Sequence, residues 1–422
     1  MTRRQRTVAA LGLLVALMIG AGLVIGGAIR TGSSAHGPTG SGQLDVGSGG
    51  PGSGADAGSP TPEPTPVPAP GHEVYGFLPY WEMDATIADH VAGLDLSTLA
   101  LFSVSNRTNG TIDTSQRGYS LVTGPLADQL IHEAHDRGTR VELVFTSFGL
   151  ARNKRLFGSG ASPVARREQL IAGLVDLATQ LGVDGINVDV ETIDDNLIPT
   201  YGTFVGQLRD ALRKANPKAQ VSVATTANVR GAAMAVAANL AGADRIFMMG
   251  YDYHYAGSAP GASSPMARRD GSEKDLVWSL DLYETSGVPV QKTILGLPLY
   301  GMSWPVSGPE LGAPQTGKGD NWFPSDHADF LADPANVPVF DDIEVVNQYT
   351  VPPTGPGWTP DPSASPTEWT AIYVDSPETL RPKMALADAR GLAGAGFWAI
   401  GYERGLAGYA DLVKRFRAGK LE

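Results

Sequence analysis

The sequence predicts an α/β fold: a (β/α)8 barrel of the TIM type with an insertion between strands 7 and 8. A transmembrane anchor and a disordered linker are expected ahead of it. Three observations carry this reading. Eight short apolar runs recur beyond residue 71. Amphipathic helical stretches lie between most of them, and strands alternating with helices build a closed parallel sheet. Residues 72–422 also suit one barrel, typically about 250 residues, plus an insertion.

The chain opens on Arg3, Arg4 and Arg6, then an uncharged, mostly apolar run of 23 residues from Thr7 to Ile29, closed by Arg30. A bilayer-spanning helix needs about 20 apolar residues, whereas a cleaved signal has an apolar core of about 7–15. Residues 1–30 therefore read as a cytoplasmic tip and uncleaved signal anchor, with residues 7–29 in the membrane. The arginines stay inside and the rest is exported, giving a single-pass protein of the cell membrane with its large domain extracellular. The alternative is secretion after cleavage near Ser33–Ala35. Residues 31–70 hold 10 Gly, 8 Pro and 6 Ser and no aromatic residue. Such a segment cannot bury enough surface to offset chain entropy and reads as a linker, its proline-alternating end from Pro60 to Pro70 an extended spacer.

Residues 72–420 read as one catalytic barrel. Its strands are expected at Glu73–Trp81, Ser97–Val104, Arg140–Ser147, Gly185–Glu191, Gln220–Ala227, Arg245–Tyr251, Thr293–Tyr300 and Gly394–Ile400. Helical spacing is clearest from Glu168 to Leu181, with Leu170, Leu174, Leu177 and Leu181, and from Thr203 to Lys214, with Phe204, Val205, Leu208 and Leu212. The gap between Tyr300 and Gly394 holds 93 residues. Within it Asp341–Thr350 and Glu368–Val374 alternate like a hairpin around the proline-rich Val351–Pro366. This predicts an inserted subdomain at about residues 302–372.

Composition excludes several classes. The sequence is 42% hydrophobic and 18% charged, so a core is affordable and wholesale disorder is not expected. It has no cysteine, which removes disulfides, thiolate metal sites and a cysteine nucleophile. A net charge of −12 argues against a nucleic-acid partner.

The chemistry concentrates in the fourth run, Val183-Asp184-Gly185-Ile186-Asn187-Val188-Asp189-Val190-Glu191. Side chains on a strand alternate faces, so Ile186, Val188 and Val190 share one face and Asn187, Asp189 and Glu191 the other. The apolar face suits the helix layer. The polar face then lines the barrel, with Glu191 at the carboxyl end, where this fold carries its active site. Two neighbouring inward carboxylates are costly to bury, and their repulsion keeps one protonated as a general acid. A solvated strand end or a buried ion pair is the bland reading of the same residues.

Asp184–Glu191 resembles the Asp-Gly-x-Asp-x-Asp-x-Glu signature of glycoside hydrolase family 18, the chitinases and related N-acetylglucosaminidases. Met249-Gly250-Tyr251-Asp252 is similar to the family's Met-x-Tyr-Asp, and Gly296-Leu297-Pro298-Leu299-Tyr300-Gly301 to its Gly-x-Pro-x-Tyr-Gly. Trp398 lies where the family places the tryptophan floor of its sugar pocket. Two departures stand out. Asn187 replaces the second acid, as in a bacterial branch resembling spore-cortex peptidoglycan hydrolases, and Ser147-Phe148-Gly149-Leu150 only partly matches Ser-x-Gly-Gly.

The resemblance implies retaining, substrate-assisted hydrolysis of β-1,4-linked N-acetylglucosamine glycosides, an exception to the two-carboxylate scheme. Glu191 is the acid and later the base; Asp189 orients the substrate's acetamido group and Tyr251 donates to its oxygen. Asp252, Trp398, Asn187, Met249, Tyr300 and Trp81 are expected around the substrate. Neither metal nor organic cofactor is implied. The expected partner is an N-acetylglucosamine polysaccharide. Peptidoglycan comes first, because an anchor and spacer put the domain in the wall layer. Chitin or its oligosaccharides, or a non-catalytic lectin-like role, are the alternatives.

Other clusters read more plainly. His132 and His135 are three residues apart rather than four, which favours a solvated helix over a metal site. Tyr253 and His254 either pack or meet sugar hydroxyls, and Trp304 either stacks on sugar or fills a core.

Overall fold

The structure is a computed structural model that describes residues 72–353 and 367–421. The expected anchor at 1–30 and linker at 31–70 lie outside the described residues. Among the described residues no helix is long and apolar enough to cross a membrane.

Eight strands close into a parallel barrel. They are β1 (Glu73–Pro79), β2 (Thr98–Ser105), β3 (Arg140–Phe148), β4 (Gly185–Glu191), β5 (Gln220–Thr226), β6 (Arg245–Met249), β7 (Thr293–Pro298) and β13 (Gly394–Trp398). All eight expected runs contain a barrel strand. Most end one to two residues early, because the chain turns outward at the carboxyl rim where the loops begin. The helix expected from Glu168 begins earlier, at Ala161, and stops at Leu181, where Gly182 takes the left-handed conformation that closes helices. That expected from Thr203 spans Ile198–Ala215.

The barrel has two apolar layers. Ile186, Val188 and Val190 pack outward among the helices with Leu170, Leu174 and Phe204. Tyr75, Phe77, Phe102, Val144, Phe247 and Ile294 fill the interior. Phe247 fits only because its neighbours are glycines: a Cβ at Gly296 would sit 2.3 Å from its ring, and one at Gly396 2.6 Å.

The insertion is larger than the expected hairpin. The hairpin is there as β11 (Val346–Val351) paired with β12 (Trp369–Val374). It belongs to a five-stranded antiparallel sheet with β8 (Gly301–Val306), β9 (Asp320–Trp322) and β10 (Val339–Asp341), in the order β10-β11-β12-β8-β9. Trp304, expected at the rim or in a core, is fully buried in this sheet. The sheet braces the loop after β6. Glu344 accepts from Ala262 N at 2.6 Å and Arg269 N at 3.1 Å, and its carboxylate lies 3.2 Å from His254 Nε2.

Candidate active site

Strand pairing puts the signature at the rim of the barrel. Thr146 of β3 pairs with Asp189, and Phe148 with Glu191; on the other side Asn187 pairs with Ser222 and Asp189 with Ala224. Asn187, Asp189 and Glu191 thus climb the inner wall in steps of two residues. Their exposure follows the climb: Asn187 is 0% exposed, Asp189 4%, and Glu191 half-buried.

The rim residues are held by backbone that seldom occurs elsewhere. Thr192, directly after Glu191, has φ 60°, and Asp252 has φ 63°. A β-branched residue in the left-handed region is an outlier, held only because its surroundings over-determine it. Asn153 supplies part of that hold. It is fully buried, and its Nδ2 donates to Glu191 O at 2.6 Å and Thr192 O at 3.2 Å. Ser147 Oγ in turn donates to Asn153 Oδ1 at 2.7 Å.

Burial, and then the Glu191 charge, pushes the Asp189 carboxyl well above the usual range. Burial, and then Asp252, pushes Glu191 up to about 7. Burial likewise raises Asp252, against a hydrogen bond from the Tyr300 hydroxyl to its Oδ1. Asp189 has no hydrogen-bond partner for its buried Oδ1 among the described residues. Burial and the three carboxylates raise the Tyr251 hydroxyl, so it keeps its proton and acts as a donor.

Aromatic rings close one side. Trp398 is half-buried and packs edge-on against Phe102 at 4.7 Å, with Phe77 at 5.8 Å and Trp81 at 6.2 Å. Trp81 is fixed by donating from Nε1 to Tyr402 at 3.1 Å. Met249, Tyr251 and Phe148 pack against the same interior cluster. Phe323 of the insertion packs at a tilt against Tyr402, their ring centres 4.7 Å apart.

The structure therefore brings Asp189, Glu191, Tyr251, Asp252, Tyr300, Trp81, Met249 and Trp398 to one mouth. Asn187 is the exception among the expected substrate contacts. It is sealed one layer down, where its Nδ2 donates to Ser222 Oγ at 2.7 Å. It supports the site from below and does not reach a ligand. Tyr253 and His254 also point away: Tyr253 donates to Ser279 at 2.6 Å, and His254 is fully buried against Ala259 O at 2.8 Å. His135 pairs with Asp184 at 2.8 Å, and among the described residues no side-chain group could hold a metal ion.

Sequence reading missed Asn153, Ser222 and Glu142. Glu142 had a signal: it is the one acidic residue in Arg140–Phe148 and shares the inner face with Val144 and Thr146.

The model of the glycosyl hydrolases family 18 matches residues 77–403. The chain belongs to this family. Among curated relatives, Nod factor hydrolase protein 1 of Medicago truncatula is 28% identical over 280 residues, 60% of this chain and 67% of that protein. The putative sporulation-specific glycosylase YdhD of Bacillus subtilis is 29% identical over 151 residues, 34% of this chain and only 33% of that protein. Solved chitinases share the fold, and so does the Bacillus cereus spore cortex-lytic enzyme SleL. That structure has a TM-score of 0.61 at 18% identity, covering 83% of this chain and 74% of its own. The family 18 chain is thus a chitinase-like member of a glycosidase family.

Proposed function

We propose that this chitinase-like chain is a retaining β-N-acetylglucosaminidase that cuts peptidoglycan by substrate assistance. One observation carries the reading: two inward carboxyls on β4, both raised above their ordinary range, beside a tyrosine hydroxyl that keeps its proton. An acid near 7 delivers its proton at neutral pH. Glu191 protonates the glycosidic oxygen, and the substrate's own acetamido oxygen attacks the anomeric carbon as that bond breaks. Asp189 accepts from the acetamido N–H and offsets the oxazolinium charge, while Tyr251 donates to the acetamido oxygen. Water then opens the ring with Glu191 as base, and the configuration is retained. Trp398 lies under the sugar; Trp81, Met249, Asp252 and Tyr300 frame it.

Likeness to a spore cortex-lytic enzyme and a sporulation glycosylase supports a wall polymer over chitin. So does the apolar run at residues 7–29, which as an anchor would hold the domain against the wall. The test is to digest purified peptidoglycan and chitin with the full chain and with Glu191→Gln. New reducing ends are then identified by mass spectrometry. N-acetylglucosamine ends from peptidoglycan, made by the wild type alone, are expected. Ends from chitin alone would replace the substrate; binding without new ends would leave a lectin.

A further inference from the structure

Most arginines of the described chain find a carboxylate. Arg213 pairs with Asp244, Arg230 with Asp195 and Arg404 with Asp84, each at 2.7 Å. One sector of the carboxyl rim departs from this. From Gly149 to Arg167 the sequence holds five cations, Arg152, Lys154, Arg155, Arg166 and Arg167, and no acid, in a chain of net charge −12. None of the five forms an ion pair among the described residues, and neither does Arg117. Arg166 and Arg167 donate to the backbone carbonyls of Arg155 at 3.2 Å and Leu156 at 2.7 Å. The side chains of Arg152, Lys154 and Arg155 have no hydrogen-bond partner among the described residues.

The catalytic strand fixes where these three sit. They lie on the helix Leu150–Phe157, which begins where β3 ends. Its buried side is Asn153, Leu156 and Phe157. Asn153 holds the Glu191 carbonyl at 2.6 Å, and Gly149 N donates to the same oxygen at 3.2 Å. Lys154 and Arg155 are exposed and Arg152 half-buried on the remaining side. Because β1, β2, β3 and β4 are neighbours in the barrel, the loops after β2 and β3 lie between Trp81 and Glu191. Arg117, beyond β2, carries the positive sector toward Trp81. Burial raises the Tyr80 hydroxyl, the Arg117 charge opposes it, and Tyr80 packs edge-on against Trp81 at 5.0 Å.

Helix stability does not account for the cluster. Lys154 and Arg155 are in the last turn, where cations suit the helix dipole, but Arg152 is in the first turn, where a cation opposes it. Arg152 and Arg155 also stand three residues apart, so their like charges repel. Acids on the loops to either side are taken, Asp113 by Arg107 at 3.3 Å and Asp195 by Arg230. We propose that Arg152, Lys154 and Arg155 form an anion-binding ledge that holds a carboxylate carried on a side arm of the glycan, beside the sugar being cut. This deepens the proposed function and rests on it: a wall glycan bears carboxylates on alternate sugars and on their peptides, whereas chitin bears none. The groups that act on Glu191 are burial and Asp252, so the ledge meets a neighbouring unit of the polymer and leaves the acid as it is.

The test measures binding by calorimetry in the full chain carrying Glu191→Gln, which removes turnover. Three soluble ligands are compared: a neutral N-acetylglucosamine oligosaccharide, a peptide-free wall glycan with its carboxylates free, and the same glycan with them amidated. Combining Arg152→Gln, Lys154→Gln and Arg155→Gln should weaken binding of the free-carboxylate glycan about tenfold and leave the other two unchanged. Arg152→Lys with Arg155→Lys should keep most of the affinity, and added salt should weaken only the charged ligand. If only a peptide-bearing glycan responds, the ledge takes the carboxylates of the peptide, which supports the proposal and names their source. Equal losses for all three ligands, or none for any, would overturn it. So would loss of binding to phosphatidylglycerol vesicles with glycan binding intact, which would assign the surface to a membrane. These substitutions are solvent-facing, and near-ultraviolet circular dichroism reports the fold. Because binding needs no turnover, a wild type that cuts no glycan beside this selective loss would refute the hydrolase reading and leave the ledge standing.

Discussion

Two sets of buried carboxyls in this chain have opposite surroundings. Asp341, in the inserted sheet, is 0% exposed, yet it accepts from Arg269 Nε at 2.8 Å and Nη2 at 2.7 Å, and from the backbone of Ile343 and Glu344 at 3.0 Å each. Burial alone would raise it, but these donors hold it below the usual carboxylate range. Asp189, in the barrel, is 4% exposed and has none of this; burial and Glu191 drive it up. The first carboxylate is matched and holds structure together. The second is left unmatched, which destabilises the fold but leaves an oxygen free to accept from a ligand. The two are the same residue type and both are shielded from solvent, and the donors around Asp341 are what Asp189 lacks.

The contrast predicts that mutations in the two regions fail differently. Glu191→Gln should lower turnover by a factor of about 10²–10⁴ while leaving the fold intact, measured as new reducing ends and by circular dichroism. Near-normal turnover would remove Glu191 as the acid. Asp341→Ala should do the reverse. Unfilled donors at Arg269, Ile343 and Glu344 should cost about 3 kcal/mol in urea unfolding, with the chemistry of remaining folded enzyme preserved. Asn153→Ala sits between the two. It releases the backbone on either side of Glu191, so turnover should fall about tenfold with little change in KM, alongside about 1–3 kcal/mol of stability.

The smallest effect is on pH. Glu191 rises from an ordinary 4.5 to about 7 on folding, so between those values the folded chain holds a proton that the unfolded chain has lost. Stability from this group is full below the lower value and lost as pH rises through the upper one. Glu191→Gln should therefore raise the melting temperature by a few degrees at pH 8 and much less at pH 4. Wild-type activity should fall on the alkaline side near pH 7. An equal gain at both pH values would show that Glu191 carries no such cost.

The barrel was legible in the sequence because its strands are covered on both faces. Ile186, Val188 and Val190, or Ile294 and Leu295, have no solvent side and read as apolar runs. The insertion was only half legible. β9 and β10 have three residues each, too short for a period, and take their shape from pairing with β8 and β11. In the site, Asp189 and Glu191 were legible from alternation within one strand. The groups packed beneath and beside them were not: Ser222 meets Glu142 across 80 residues, and Asn153 meets the Glu191 backbone across 38. Partners so distant in sequence become neighbours only when the barrel closes. Asn187 was placed on the correct face but at the wrong depth, because alternation gives direction and not distance from the rim.

The central claim is that Glu191 acts as the acid while the substrate supplies its own nucleophile. It is tested most directly by proton NMR of the first products that the full chain releases from a soluble N-acetylglucosamine oligosaccharide. The account predicts the β anomer at the earliest time points, converting slowly to the equilibrium mixture, and none from Glu191→Gln. An initial α anomer would mean direct attack by water on the glycosidic carbon and would contradict it.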